Sequence, residues 1–341
     1  MTNVIQLDGA AGGGQMLRTA LSLAMVTGQP FRMVNIRAQR SRPGLMRQHL
    51  TCVQAACAIS GGSADGAATG STELVFRAAE LQPGNYRFAI GTAGSVGLLF
   101  QTLLPALLHA DAPSTLELEG GTHNPLAPPF EFLDRVFLPV LRHMGAGATL
   151  ELRRTGFAPA GGGVMTARIE PCAALRPVHL TERPESGETR IRVIARDIPM
   201  GISGRMLDAA LRILPSKDAA IENRDDAPGA GICCLIEAQH GECREMTCAF
   251  GQHGTPAEIV GRRAAKAMRN YLATGVPVGK YLADQLLLPM ALAGEGSVIT
   301  LAPDNHVPTN ISVIEQFLPV KFECSTVDRG NHLIQVSARP V

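Results

Sequence analysis

The chain has no tryptophan, three tyrosines and eleven phenylalanines in 341 residues. So few aromatics argue against a stacked platform for a long single strand of nucleic acid. Lysine is scarce too: only Lys217, Lys266, Lys280 and Lys321 stand among the 31 basic residues. The formal net charge is +1, so no bulk field draws a polyanion and any such site must be local. No apolar run reaches the roughly 18 residues that a membrane span needs. The opening MTNVIQLDGA has neither the basic flank nor the apolar core of a signal peptide, and a cytoplasmic protein is the expectation. The eight cysteines form no CxxC. Their two CxxxxC spacings (Cys52–Cys57 and Cys243–Cys248) match no common zinc knuckle, so small buried residues are expected rather than a metal site. Also missing are a Walker A loop, a GxGxxG and the lysine-centred KxDG of the usual nucleotidyl transferases.

What is present is internal similarity. A length of 341 residues exceeds what one core usually absorbs, so two domains are expected. Three stretches share one order: a glycine-bearing loop, an apolar helix, a strand, a polar loop and a second helix. They begin at GGGQMLRTALSLAMV, GSVGLLFQTLLPALL and GKYLADQLLLPMALA. Arg18 precedes Arg40, Gln101 precedes His123 and Asp284 precedes His306, each by 22 residues. If the units pack as equivalents, their polar loops and helix N-termini gather, and residues distant in sequence share one site. The pattern breaks at LTERPESGETR, where a strand–helix–strand–strand–helix segment begins, and it resumes after GVPVG. The expected fold is therefore α/β. A repeat-built domain over 1–181 and 279–341 would carry an inserted small α/β domain over 182–278.

Two places suggest chemistry. In NIRAQRSRPGLMRQHL, Arg37, Arg40 and Arg42 precede Pro43, which suits the first turn of a helix, and Arg47, Gln48 and His49 fall in its opening turns. Cations there oppose the helix dipole unless an anion binds between them. A phosphate site competes with a solvated arginine face. In LAPDNHVPTNI, His306 stands in a turn that needs no imidazole, before a helix that Thr309 or Asn310 could cap. An imidazole beside a bound phosphate can attack phosphorus. An incidental loop histidine is the alternative, and His123 is the next candidate nucleophile.

LDGAAGGGQMLRTALSLAMVTGQPF, IRAQRSRPGLMRQHL, FAIGTAGSVGLLFQTLLPALLHAD, GGTHNPLAPP, GFAPAGGGV, YLADQLLLPMALAG and HVPTNI together resemble the RNA 3′-terminal phosphate cyclases. The resemblance implies three repeats like the C-terminal domain of a bacterial translation initiation factor, with a thioredoxin-like insert. It implies ATP-dependent conversion of an RNA 3′-phosphate into a 2′,3′-cyclic phosphate, releasing AMP and pyrophosphate. It implies that His306 becomes adenylylated, that Gln101, Pro128, Tyr281, Leu282, Ala283, Asp284 and Gln285 contact ATP, and that Arg18, Arg37, Arg40, Gln48 and His49 handle phosphate. Magnesium or manganese and a 3′-phosphorylated RNA are the implied cofactor and partner. The metal's protein ligands stay unassigned, and self-association stays open. A catalytically silent RNA-processing scaffold is the alternative, and a carboxyvinyl transferase of similar architecture is a third reading. Two features depart from the family. The loop GAAGGGQ is shorter than the usual GEGGGQ style and lacks its glutamate, leaving Asp8 and Asp284 as the nearby acids. Thr155 stands where a basic residue or histidine is expected, which touches packing.

Overall fold

The computed structural model describes residues 4–226 and 228–339. The chain opens with β1 (Ile5–Asp8), α1 (Gly14–Thr27), β2 (Phe31–Val34), α2 (Arg47–Ser60), β3 (Ser63–Asp65) and β4 (Leu74–Arg77). These strands form a sheet in the order β1-β2-β4-β3, parallel between β1 and β2 and antiparallel elsewhere. Next come β5 (Asn85–Ala89), α3 (Val96–Leu108), β6 (Ser114–Gly120), α4 (Phe130–Phe132), α5 (Leu138–His143), β7 (Gly147–Arg154) and β8 (Gly163–Glu170). Their sheet runs β5-β6-β8-β7, with the same parallel and antiparallel pairings. Between α4 and α5 the helix widens into a π turn at Leu133–Phe137. Pro139 lies just beyond it; a proline ring clashes with the carbonyl four residues back in an α-helix, and the wider turn relieves that clash.

The strand β9 (Val178–Leu180) starts a third sheet. It is completed only after α8 (Lys280–Ala293) by β14 (Gly296–Thr300), α9 (His306–Phe317), β15 (Val320–Thr326) and β16 (His332–Ala338). Its order, β9-β14-β16-β15, again pairs the first two strands in parallel and the rest antiparallel. All three sheets thus have one connectivity: strand, helix, strand, helical segment, then an antiparallel pair. Sequence periodicity captured the helices and the strand between them. The short flanking strands, such as Ser63–Asp65, carry too little apolar alternation to be read that way.

Between β9 and α8 lie β10 (Glu188–Arg196), α6 (Met200–Leu211), β11 (Asp218–Asn223), β12 (Gly231–His240), β13 (Cys243–Phe250) and α7 (Ala257–Thr274). Their sheet is ordered β11-β10-β12-β13. Side chains alternate across a strand, and β12 buries both sides. Cys234, Ile236 and Ala238 join a core with Val260, Ala264 and Met268 of α7, whereas Cys233 and Leu235 join the main core. That explains the unbroken apolar run GICCLI. Half the cysteines behave as the composition suggested: Cys52, Cys233, Cys234 and Cys243 are buried. Cys248 and Cys324 are exposed, against that expectation; Cys324 shares a face with the buried Val320 and Phe322 but lies beyond the covered part of its strand.

Polar contacts join this segment to the rest. Thr155, where the sequence led us to expect a basic residue or histidine, is buried and receives Asp226: its backbone N–H donates to Asp226 Oδ2 at 2.9 Å. Arg224 lies 3.5 Å from Glu131. On the return, the Gly279 N–H donates to Glu245 Oε2 at 2.7 Å, and Met246 N–H donates to Oε1 at 2.9 Å. A Cβ on Gly279 would run into that carboxylate, so any larger residue would displace Glu245 from this contact. Burial pushes Glu245 up from 4.5 to about 7, although both backbone N–H groups favour its ionised form. The folded chain therefore binds this proton more tightly than the unfolded one, and stability falls as pH rises from about 4.5 to about 7. Urea unfolding at pH 5 and pH 7.5 measures that loss; Glu245→Gln should shrink the difference, and an undiminished one would assign it to another group.

Candidate active site

Four helices bring their N-termini to one place. The first, α1, starts at Gly14 after an N-cap glycine, Gly13, that offers no side-chain cap. Its first N–H groups are therefore open to an anion. Leu17, Ala20, Leu21 and Ala24 are fully buried and anchor the helix, each leucine contributing roughly 1.5–3 kcal/mol by burial. Inside the contact with α9, the Thr19 hydroxyl donates to Asn310 Oδ1 at 2.7 Å, tying the two helices together. Asn310 therefore does not cap α9. Neither does Thr309, whose hydroxyl donates back to the Asn305 and His306 carbonyls. The N-cap is Asn305, and His306 is the first helical residue rather than part of the loop. Its N–H is held by Asp304 Oδ1 at 2.9 Å.

The decisive group is one absent from the sequence-based site: Gln15, the last letter of GGGQ. Its Nε2 donates to both oxygens of Asp284 at 2.8 and 2.7 Å. That turns Oε1, which can only accept, toward His306 Nδ1 at 2.8 Å. Nδ1 must therefore carry the proton, and Nε2 of this exposed residue is left with a free lone pair. Burial raises Asp284 above the usual carboxylate range, with Asp304 adding to the rise; Gln15, His306 and Arg18 oppose it. Asp304 thus stands beside Asp284 at the site, where the sequence pointed to Asp8. Asp8 is committed elsewhere: its Oδ1 accepts from Ala10 N at 2.9 Å and from Asn35 Nδ2 at 3.1 Å, closing the glycine loop.

His49 lies on the other side of Gly14, where a Cβ would collide with its Nε2. Its Nδ1 accepts from Met46 N at 3.1 Å, so Nε2 presents a proton toward the start of α1. Desolvation first, then Arg18 and Arg37, pull its pKa down to about 3. It is a neutral donor, not one of the cations that the sequence suggested at the start of α2. Arg40 lies against Gly13, its guanidinium 3.0 Å from where a Cβ would stand. Half-buried Arg18 is desolvated and faces Asp284. Arg37 has a left-handed backbone (φ 55), and its Nη1 donates to the Arg42 and Gly44 carbonyls, both at 2.8 Å. It builds the loop as well as charging it. Pro43 belongs to that loop, because α2 starts only at Arg47.

The second sheet's helix joins through two amides. Gln48 Oε1 accepts from Ser95 N at 2.8 Å, and Gln101 Nε2 donates to Gln285 Oε1 at 2.6 Å. Gln285 in turn donates to the Tyr281 carbonyl at 3.0 Å. Tyr281 is exposed, beneath Lys280. Leu282 and Ala283, expected at the nucleotide, put their side chains in the core; helical geometry turns them inward and leaves only their backbone for a ligand. Pro128 packs its carbonyl against Gly97 at the start of α3. His123, at the position that spacing equates with His306, is fully buried. Its Nε2 meets Glu131 Oε2 at 2.9 Å and its Nδ1 meets the Thr122 hydroxyl at 2.8 Å, so it is withdrawn from any nucleophilic role. Desolvation would raise Glu131, but His123 and Arg224 outweigh it and hold the carboxyl down to about 2.

An α/β frame, a histidine oriented by an amide, and arginines converging on an open helix start make a site suited to an anion. The chain belongs to the RNA 3′-terminal phosphate cyclase family, whose pattern matches residues 10–324. It is 49% identical over 323 residues to the "RNA 3′-terminal phosphate cyclase" of Ectopseudomonas mendocina, covering 94% of each chain. It is 49% identical to the Ralstonia nicotianae protein of that name (93% and 92% covered) and 44% identical to that of Salmonella enteritidis PT4 (99% and 100% covered). Among solved structures, EPSP synthase from Acinetobacter baumannii overlaps at a TM-score of 0.30 and 11% identity, covering 99% of this chain and 65% of that one. That likeness is too slight to bear on function. Among the described residues no helix is long and apolar enough to cross a membrane.

The amide geometry has a spectroscopic consequence. The ¹⁵N shifts of His306 should report an Nδ1–H tautomer in the native protein. Gln15→Ala should shift the ring toward the Nε2–H form that free imidazole side chains favour. Unchanged shifts in the variant would remove Gln15 from control of the ring.

Proposed function

We propose that this protein converts an RNA 3′-phosphate into a 2′,3′-cyclic phosphodiester at the expense of ATP. The observation that carries this reading is the lone pair on His306 Nε2, presented beside the open N-terminus of α1. In the first step Nε2 attacks the α-phosphorus of ATP. A P–N bond forms, the bond to the β-phosphate oxygen breaks, and pyrophosphate leaves. Gln15 keeps the proton on Nδ1, so the attacking nitrogen needs no base. An oxygen of the RNA 3′-phosphate then displaces the histidine, giving an RNA–phosphate–phosphate–adenosine anhydride. Finally the vicinal 2′-OH attacks the RNA phosphorus, AMP leaves, and the ring closes with the help of proximity.

In this reading Gln101, Pro128, Tyr281, Asp284, Gln285 and the backbone of Leu282 and Ala283 receive ATP. Arg18, Arg37, Arg40 and Gln48 handle the phosphates, with His49 as a neutral donor. A divalent cation would neutralise the departing charge. Among the described residues no cluster of three or more metal-ligating side chains exists. The half-buried Asp284 and the neighbouring Asp304 suit the one or two carboxylates with which magnesium is held when phosphates supply the other ligands. The three sheets of identical connectivity are read as repeats of one unit over 1–181 and 279–341, and 182–278 as a thioredoxin-like insert. Cytoplasmic RNA ends are the proposed substrate pool.

Incubation with α-labelled ATP tests the central step. The native protein should acquire label that is acid-labile and base-stable, as a phosphoramidate is, and His306→Ala should acquire none. An unlabelled native protein would favour a silent RNA-processing scaffold instead. Arg40→Ala should slow transfer to RNA about ten- to a hundredfold, the loss of one charge-assisted contact of about 1.5–3 kcal/mol; unchanged cyclisation in an Arg37/Arg40 double variant would return the cluster to a solvated surface. Lengthening the loop to the GEGGGQ style should lower the magnesium concentration that gives half-maximal labelling. An identical requirement in both proteins would mean that Asp284 and Asp304 already do the glutamate's work.

A further inference from the structure

Exposed cations in this chain are mostly neutralised. Arg32, Arg77, Arg87, Arg153, Arg168 and Arg190 each lie within 3.0 Å of a carboxylate. Others, such as Arg154 and Arg176, donate to backbone carbonyls. Among the described residues, cations with neither kind of partner concentrate in two places. One is the active site, with Arg18, Arg40, Arg42 and Arg47. The other is the segment between β9 and α8, where Arg262, Arg263, Lys266 and Arg269 stand exposed on α7, accompanied by Arg212 and Lys217. An arginine-rich composition alone does not account for that division, since it would leave unpaired cations scattered.

The arrangement on α7 is ordered. At 3.6 residues per turn, Arg262, Lys266 and Arg269 form one row about 10 Å long, with Arg263 beside it. Val260, Ala264, Met268 and Tyr271 cover the opposite side and are buried against the sheet. The helix's one acid, Glu258, is paired with Arg205 at 3.0 Å and also feels Arg262 one turn on, which leaves Arg263, Lys266 and Arg269 without a carboxylate on the helix. Like charges four residues apart repel, and the row lies too far from the helix C-terminus to gain from the dipole. No exposed aromatic accompanies it, which suits a charged backbone and not stacked bases. From α7 the chain passes through 275–279 directly into α8, which carries Asp284.

We propose that this face of α7 is a track for the sugar–phosphate backbone of the RNA upstream of its 3′ end. The assignment rests on the cyclase reading above and extends it: the site takes the terminal phosphate, and α7 takes the body of the strand without regard to sequence. Short substrates would then be held by the site alone, and longer ones by both.

The test compares 3′-phosphorylated RNAs of about 4 and about 20 nucleotides, binding the native protein and an R262Q/K266Q/R269Q variant across a salt series. Each lost contact to a single-strand phosphate should lower the slope of log affinity against log salt by about 0.7. The variant's slope for the long RNA should therefore be shallower by about 2, with affinity reduced at least tenfold at low salt. The short RNA should bind both proteins alike, and covalent AMP labelling and thermal unfolding should be unchanged because the row is solvent-exposed. Equal slopes and affinities for the long RNA would overturn the proposal. So would poly-glutamate binding the row more tightly than RNA of equal charge, which would assign the face to an acidic protein. Failure of AMP labelling in the native protein would instead count against the cyclase reading, so the two outcomes are distinguishable.

Discussion

One side-chain amide organises this site. Gln15 has a donating and an accepting end, and the two cannot be exchanged without leaving a carboxylate facing a carbonyl oxygen. Because Asp284 takes both donor contacts, the acceptor must face His306, and the ring's tautomer follows. The same amide joins α1 to both helices of the third sheet. Its position in turn depends on two glycines: at Gly13 and Gly14 the space a side chain would need is taken by Arg40 and His49. Glycine here lets cation and donor close onto a helix start, which is the geometry an anion requires.

The segment between β9 and α8 is fastened by carboxylates. Asp226 reaches Thr155, Arg224 reaches Glu131, and Glu245 holds the N–H of Gly279. The last contact is costly, because Glu245 is desolvated without a cation within ion-pair distance, yet it fixes the residue from which α8 departs toward Asp284. Conformational precision at that hinge is the compensation the geometry offers. Thr155 belongs to this junction and not to the chemistry.

His123 and His306 illustrate how equal spacing leads to unequal roles. Both follow a helix residue by 22 positions. His123 is enclosed by Thr122, Phe157 and Glu131, while His306 stands exposed at a helix start. The proline-marked helices give a finer correspondence: Pro105 and Pro289 each lie four residues after a glutamine, and those two glutamines, Gln101 and Gln285, meet in space.

The sequence by itself determined the α/β class, the long helices, the break near residue 180 and the family, because periodicity, glycine loops and linear motifs are local properties of the chain. It also singled out His306 and the arginine loop, whose residue types are out of place in simple turns. It could not single out Gln15 or Asp304, since a glutamine after glycines and an aspartate in a turn have ordinary local explanations. Which acids stand together and which amide orients His306 are decided by neighbours hundreds of residues away in the chain, while the roles of Arg37 and His49 are decided by much nearer ones, brought close only when the loop closes and the helix starts are buried. Those contacts set burial, hydrogen-bond direction and charge, and only the packing of α1, α2, α8 and α9 supplies them.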